Sequence, residues 1–245
     1  MERKIAFISD FGESFYVGQV KGIIKSINSN VEIIDIAHNI PKFNIKAGQF
    51  VLYTSYKYFP KETIFLAVID PGVGSQRRAI AIESENYYFV GPDNGLFGFL
   101  KNYKAYEIEI PKNSSYTFHA RDVFGPFCAK LSKGYNIKDI AKPIEKIIEL
   151  DFRKVEFFEN FVIGEVIFID DFGNLITNIE FDNKFKNVEI KTIKIQKKVK
   201  TYSQANKDEL VFLKGSSGFL EISVVEGNAS EKLNVSFGEI VKVYF

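Results

Sequence analysis

Asp70 and Arg77 are the residues of this chain best placed to do chemistry together. The run from Ile64 to Ile69 is wholly apolar and reads as a buried strand. It delivers Asp70 to its own tip, and the turn Pro71-Gly72-Val73-Gly74 then leads to Arg77 and Arg78. A carboxylate and a guanidinium at the end of a buried strand look like the floor of a site, because ligands of open α/β sheets bind at the carboxyl ends of strands.

Asp10 and Asp93 repeat the pattern, each following a strand-like run. In a parallel sheet Asp10 and Asp70 would meet at one edge. A single Asp after a strand ordinarily caps a turn, but two at one edge point to a site. Of the two histidines, His119 is the stronger candidate, because Arg121 and Asp122 place polar groups beside it just before an expected helix. His38 and Arg78 read as structural. Cys128 lies in the apolar stretch from Phe124 to Leu131 and reads as a buried, inert thiol.

Several tempting motifs fail. Asp-Phe-Gly occurs at Asp10 and again at Asp171, but the other kinase motifs are absent. Gly72-Val73-Gly74 lacks the third glycine of a dinucleotide fingerprint and follows Asp-Pro. There is no Walker lysine, nucleophile elbow or His-Glu-x-x-His, and no serine is positioned for a Ser/His/Asp triad. A carboxylate cluster could instead hold Mg²⁺, which is the main competing chemistry.

The elements that must position these residues alternate at first. Ile5 to Ser9, Val31 to Ile36 and Ile64 to Ile69 read as strands. Val17 to Ile27 and Lys46 to Tyr58 have helical spacing, the second stopped by Pro60. This alternation predicts an α/β sheet with parallel strands. Ala79 to Ile82 and Tyr87 to Val90 flank a hairpin signal, and Tyr106 to Ile110 is a further strand. Asp122 is expected to cap a helix running to about Lys133, with Gly134 as its stop. Past residue 150 come Glu165 to Ile169, Leu175 to Ile179, Val188 to Ile195, Glu209 to Leu213, Phe219 to Val224 and Ile240 to Phe245, punctuated by glycine turns. They predict a smaller antiparallel β, barrel-like C-terminal domain. The boundary is placed within residues 152–162, giving an N-terminal α/β domain at 1–155 and a C-terminal β domain at 156–245.

Composition narrows the partners. The 245 residues are 46% hydrophobic and 26% charged, with a net charge of +1, so no electrostatic footprint for nucleic acid or an anionic membrane is present. The single cysteine excludes an internal disulfide. No apolar stretch approaches a membrane span, and the run Ile5 to Ile8 is too short for a signal-peptide core and lacks a small-residue cleavage site. A cytoplasmic protein is expected.

Taken together, the segments Ile8-Ser9-Asp10-Phe11-Gly12, Tyr16-Val17-Gly18, Asp70-Pro71-Gly72-Val73-Gly74-Ser75, Val90-Gly91-Pro92-Asp93-Asn94-Gly95-Leu96, Phe118-His119-Ala120-Arg121-Asp122-Val123-Phe124, Ile169-Asp170-Asp171-Phe172-Gly173-Asn174 and Gly218-Phe219-Leu220-Glu221-Ile222 resemble the S-adenosylmethionine (SAM) hydroxide adenosyltransferases, relatives of the fluorinases and chlorinases. They follow family order across nearly the whole chain. The resemblance implies an α/β N-terminal domain, a smaller β domain and a homotrimer whose sites lie between the N-domain of one subunit and the C-domain of the next. It implies hydrolysis of SAM to adenosine and methionine, with SAM as substrate and no cofactor. Asp70, Arg77 and His119 would handle the water, Asp10 the ribose hydroxyls and Asn174 the adenine. Asp170, Phe172, Ser216 and Glu221 would complete substrate binding, with Asp170, Ser216 and Glu221 facing the methionine portion or neighbouring adenosine atoms. Ala120 stands where the family often has glycine.

Three other readings compete. A halide-using enzyme has no use for a proton acceptor, and the short stretch from Phe97 to Phe118 lacks the loop that the resemblance implies for fluorinases. A Mg²⁺-dependent nucleotide hydrolase would lose activity to a chelator. A SAM or adenosine sensor would bind without turnover.

Overall fold

The computed structural model describes residues 3–245. The chain divides into two compact units, one ending at Asp151 and one spanning Phe152–Phe245.

The first unit is a seven-stranded mixed sheet with helices. Its elements are β1 (Ile5–Ser9), α1 (Phe15–Ile27), β2 (Ile33–Ala37), α2 (Ile45–Ser55), β3 (Ile64–Val68), β4 (Ala79–Ser84), β5 (Tyr87–Pro92), β6 (Tyr103–Ile108), α3 (Gly125–Ser132), α4 (Ile137–Ile140) and β7 (Lys142–Ile144). The strand order is β2-β1-β3-β5-β4-β6-β7. The pairs β2–β1, β1–β3 and β3–β5 are parallel, and the remainder are antiparallel. β1 and β3 are buried along their whole length, which is why they read as unbroken apolar runs. One face packs Phe7, Leu66 and Val68 against Val20 and Ile24 of α1 and Phe127 of α3. Elsewhere in the unit Tyr56, Phe65, Tyr87, Phe89 and Phe99 form a ring cluster, with Phe65 and Phe89 stacked at 5.1 Å.

Local chemistry sets the helix ends. Asn44 caps α2 by accepting a hydrogen bond from the Ala47 N–H. The helix expected to reach Tyr58 stops at Ser55 and tightens into a 3₁₀ turn over Tyr56–Tyr58. Pro60 forces Phe59 into extended backbone and so ends it. The expected cap at Asp122 is not made. A π-helical turn over Ala120–Phe124 runs directly into α3. Asp122 lies within that turn, accepts the Ser115 N–H and pairs with Arg121. It ties down the preceding loop instead of starting the helix. Gly134, at φ +89°, follows the helix end as expected.

The second unit is antiparallel. It contains β8 (Glu156–Phe157), β9 (Phe161–Ile169), β10 (Leu175–Glu180), β11 (Asn187–Ile190), β12 (Ile193–Ile195), β13 (Leu210–Lys214), β14 (Phe219–Val224), α5 (Ala229–Leu233) and β15 (Ile240–Tyr244). The sheet runs β12-β11-β15-β9-β10-β14-β13, with β8 alongside β9. Beyond β12, Lys197 and Val199 exchange backbone hydrogen bonds with Phe212 of β13. The sheet thereby curls into a nearly closed barrel around Val162, Leu175, Val188, Phe212, Leu220 and Val241. The strand expected over Val188 to Ile195 is two strands. They form a hairpin that turns at Lys191, whose φ is +53°. No Gly, Asn or Pro marks that turn.

Candidate active site

Asp10 and Asp70 sit where β1 and β3 end side by side. Ser9 is in register with Val68 in the parallel pair, so the next residues emerge at one edge of the sheet. The Asp10 carboxylate accepts the Phe43 N–H at 2.9 Å. Burial pushes its pKa above the usual carboxylate range and the nearby Asp70 adds to the rise, while the Phe43 hydrogen bond opposes it.

Asp70 and Arg77 form a fork. Arg77 donates Nε to Oδ1 at 3.0 Å and Nη2 to Oδ2 at 2.5 Å, with side chains only 8% and 6% exposed for Arg77 and Asp70. Arg77 Nη2 also reaches His119 Nδ1 at 2.9 Å, and its guanidinium carbon lies 5.3 Å from the centre of the Phe124 ring. Two loops must meet for this to happen. At Gly74 (φ +77°) a Cβ would stand 2.3 Å from the Tyr116 carbonyl oxygen. Only glycine lets the 70–77 turn press that closely on the segment carrying His119.

The hydrogen bonds assign the histidine tautomer. A guanidinium can only donate, so His119 Nδ1 accepts and the proton of the neutral ring lies on Nε2. Burial holds the His119 pKa below its ordinary value, and the adjacent Arg77 charge acts in the same direction. The three side chains therefore form a preorganised row: a carboxylate fixed by both oxygens, a guanidinium donor and a neutral imidazole with Nε2–H available.

Other polar groups are committed elsewhere. Asp93 is bound by Arg78 through Nε and Nη2 and accepts the Ile148 N–H. It leaves the carboxylate cluster that a magnesium reading draws on, and Arg78 is structural. His38 hydrogen-bonds Ser9, lies beside Asp35 and packs edge-on to Phe7, also structural. Cys128 is fully buried, and burial pushes its thiol pKa up. Among the described residues, no three His, Cys, Asp or Glu side chains converge as a metal cluster would require.

In the second unit a cavity of about 1020 Å³ gathers all five residues expected there, Asp170, Phe172, Asn174, Ser216 and Glu221. Asp170 accepts the backbone N–H of Phe172 and Asn174 on one oxygen and the Asn174 side-chain amide at 2.9 Å on the other. This fixes Asn174, which is buried. Phe172 at the loop tip is 78% exposed, so its ring is accessible at the cavity. Ser216 lies in the Gly215–Gly218 turn between β13 and β14. Glu221, on β14, is 6% exposed.

Phe124, Tyr202 and Ser223 also touch these side chains, and no role is expected for them from sequence. Phe124 was legible as the end of the His119 motif. Tyr202 and Ser223 touch Glu221, and no spacing rule links a loop tyrosine to a strand glutamate.

Residues 5–141 match the SAM hydroxide adenosyltransferase N-terminal domain, and residues 164–242 match the SAM hydroxide adenosyltransferase C-terminal domain. The chain is 38% identical to an (R)-S-adenosyl-L-methionine hydrolase of Methanocaldococcus jannaschii, over 98% of this chain and 95% of that protein. A fluorinase of Actinopolyspora mzabensis is 25% identical over 73% of this chain and 72% of its own. The crystal structure of an uncharacterized conserved protein from Thermotoga maritima superposes with a TM-score of 0.88 at 36% identity, covering 98% of this chain and all of that one. With both halves matched in order and the Asp70, Arg77 and His119 side chains in contact, this chain belongs to the SAM hydroxide adenosyltransferase family.

Proposed function

We propose that this protein hydrolyses SAM, in the (R) form named for the Methanocaldococcus relative, to adenosine and L-methionine. The observation that carries this reading is the hydrogen-bonded row Asp70–Arg77–His119 at the sheet edge beside Asp10. A water oxygen attacks C5′ in line with the sulfonium. The C5′–O bond forms as the C5′–S bond breaks, methionine leaves with the electron pair on sulfur, and one proton is released. The sulfonium is already a good leaving group, so position and a reactive oxygen are what the protein supplies.

Each side chain then has a role that its geometry supports. Arg77 and His119 Nε2–H donate to the attacking oxygen or its neighbours, and Asp70 is the acceptor of the three. His119 holds Arg77 in place through Nδ1. Asp10 takes the ribose diol, since a carboxylate offers two acceptors to two vicinal hydroxyls. Asn174 reads adenine, and Phe172 offers a ring for stacking. Asp170, Ser216 and Glu221 complete the substrate site.

The row favours water over halide. Asp70 offers an acceptor for the proton that an attacking water must give up, and a halide has no use for one. We further infer a cytoplasmic homotrimer in which the N-unit of one subunit faces the C-unit of the next. Phe172, exposed within its own unit, supports this assembly.

Chromatography of a SAM incubation, with and without chelator and chloride, tests the activity. Adenosine and methionine should appear in equal amounts under all conditions. A 5′-chloro product, dependence on a divalent metal, or binding without turnover would overturn the reading.

A further inference from the structure

Glu221 is a buried carboxylate with no ion-pair partner among the described residues. Its Oε1 accepts hydrogen bonds from the Tyr202 hydroxyl and from Ser223 Oγ at 2.9 Å. Its Oε2 has no hydrogen-bond partner among the described residues, and Glu221 lines the cavity of about 1020 Å³. Oε2 lies close to Gly215, where a Cβ would come within 2.8 Å of it. Burying a carboxylate without a counter-charge costs free energy. Such an arrangement is retained where a ligand supplies the missing charge. Burial and the Glu221 charge push the Tyr202 phenol up to about 12, so Tyr202 stays a donor across the physiological range. On the cavity rim Lys200 and Lys214 have no carboxylate within 4 Å among the described residues. An anionic floor beneath a cationic rim matches an amino-acid zwitterion.

We propose that Tyr202 is a positioning residue for substrate recognition: with Ser223 it turns Glu221 so that Oε2 takes the α-ammonium of the methionine moiety. This rests on reading the site as a SAM site. Tyr202 itself acts only through Glu221.

The test compares two unreactive thioethers, S-adenosylhomocysteine and 5′-methylthioadenosine, by calorimetry. They share the adenosine and differ in the amino-acid end. Wild type should bind S-adenosylhomocysteine more tightly. Tyr202→Phe should weaken that ligand by roughly five- to tenfold, as expected for a charge-assisted contact set askew, and leave methylthioadenosine unchanged. Glu221→Gln should abolish the preference. In turnover, Tyr202→Phe should raise KM for SAM by the same factor with kcat within about twofold. Should Tyr202→Phe lack a cooperative melt, Ser223→Ala, which removes the other donor to Oε1, is read in the same way. Equal weakening of both ligands would make Tyr202 a purely structural residue, and no weakening of either would show that Glu221 needs no positioning; each result overturns the proposal. Failure of wild type to bind S-adenosylhomocysteine at all would instead overturn the SAM reading itself.

Discussion

Asp70 engages both of its oxygens with Arg77, so each residue is fixed by the other at small exposure. Arg77→Ala should lower kcat by roughly 10²–10⁴-fold while SAM affinity changes little, because the lost donors act on the nucleophile. Equal losses in kinetics and calorimetric binding would make Arg77 a binding residue. Asp10 carries the opposite stability signature. Its pKa is raised in the folded state, so the ionised form costs stability above the ordinary carboxylate value. Asp10→Asn should therefore raise Tm by roughly 1–3 °C and raise KM for SAM at least about tenfold. Thermal melts and initial rates check the pair of effects. His119 works on the acid side. Its folded pKa lies below the ordinary 6.5, so between the two values the unfolded chain binds more protons and stability rises with pH. The His119 contribution is complete above about 6.5 and is lost as pH falls through 6.5 toward the folded value. Protonation at Nδ1 would also break the Arg77 hydrogen bond, so turnover should fall over the same window. His119→Asn, which does not titrate, should flatten the acid limb of a Tm-against-pH series.

The elements explain why those residues meet. β1 and β3 were legible from their apolar runs, and parallel pairing in register then places Asp10 and Asp70 at one edge. The 70–77 turn is different. Its glycines read as a turn, but nothing local says that Gly74 presses on the Tyr116 carbonyl. Gly74→Ala puts a Cβ into a backbone oxygen and strains a positive φ. It should destabilise the protein by about 1–3 kcal/mol and lower kcat by more than the stability loss explains, since Arg77 and His119 lie on the two segments it would separate. Denaturant melts beside kinetics separate these effects. Asp122 shows the limit of local rules: it has a capping residue's identity, yet it serves the loop at Ser115 because the helix begins earlier, in a π-helical turn.

At the scale of the whole molecule, the residues of the proposed substrate site fall on both units, the Asp70–Arg77–His119 row on the first and the large cavity on the second. The proposed trimer should elute with about three times the 28.0 kDa chain mass, and turnover per chain should fall on dilution into monomer. Light scattering coupled to rate measurements tests this, and full activity in a monomer would refute shared sites. What the sequence by itself determined is the order and burial of the strands, the glycine turns, and therefore which carboxylates reach the sheet edge, because these follow from short-range periodicity and backbone preference. Only the tertiary structure decided that Asp93 belongs to Arg78, that His119 turns Nδ1 toward Arg77, and that Tyr202 and Ser223 share Glu221. Apart from the contact of Ser223 with its strand neighbour Glu221, those pairings join separate segments, and their free energy depends on burial and hydrogen-bond geometry that exist only once both segments have packed.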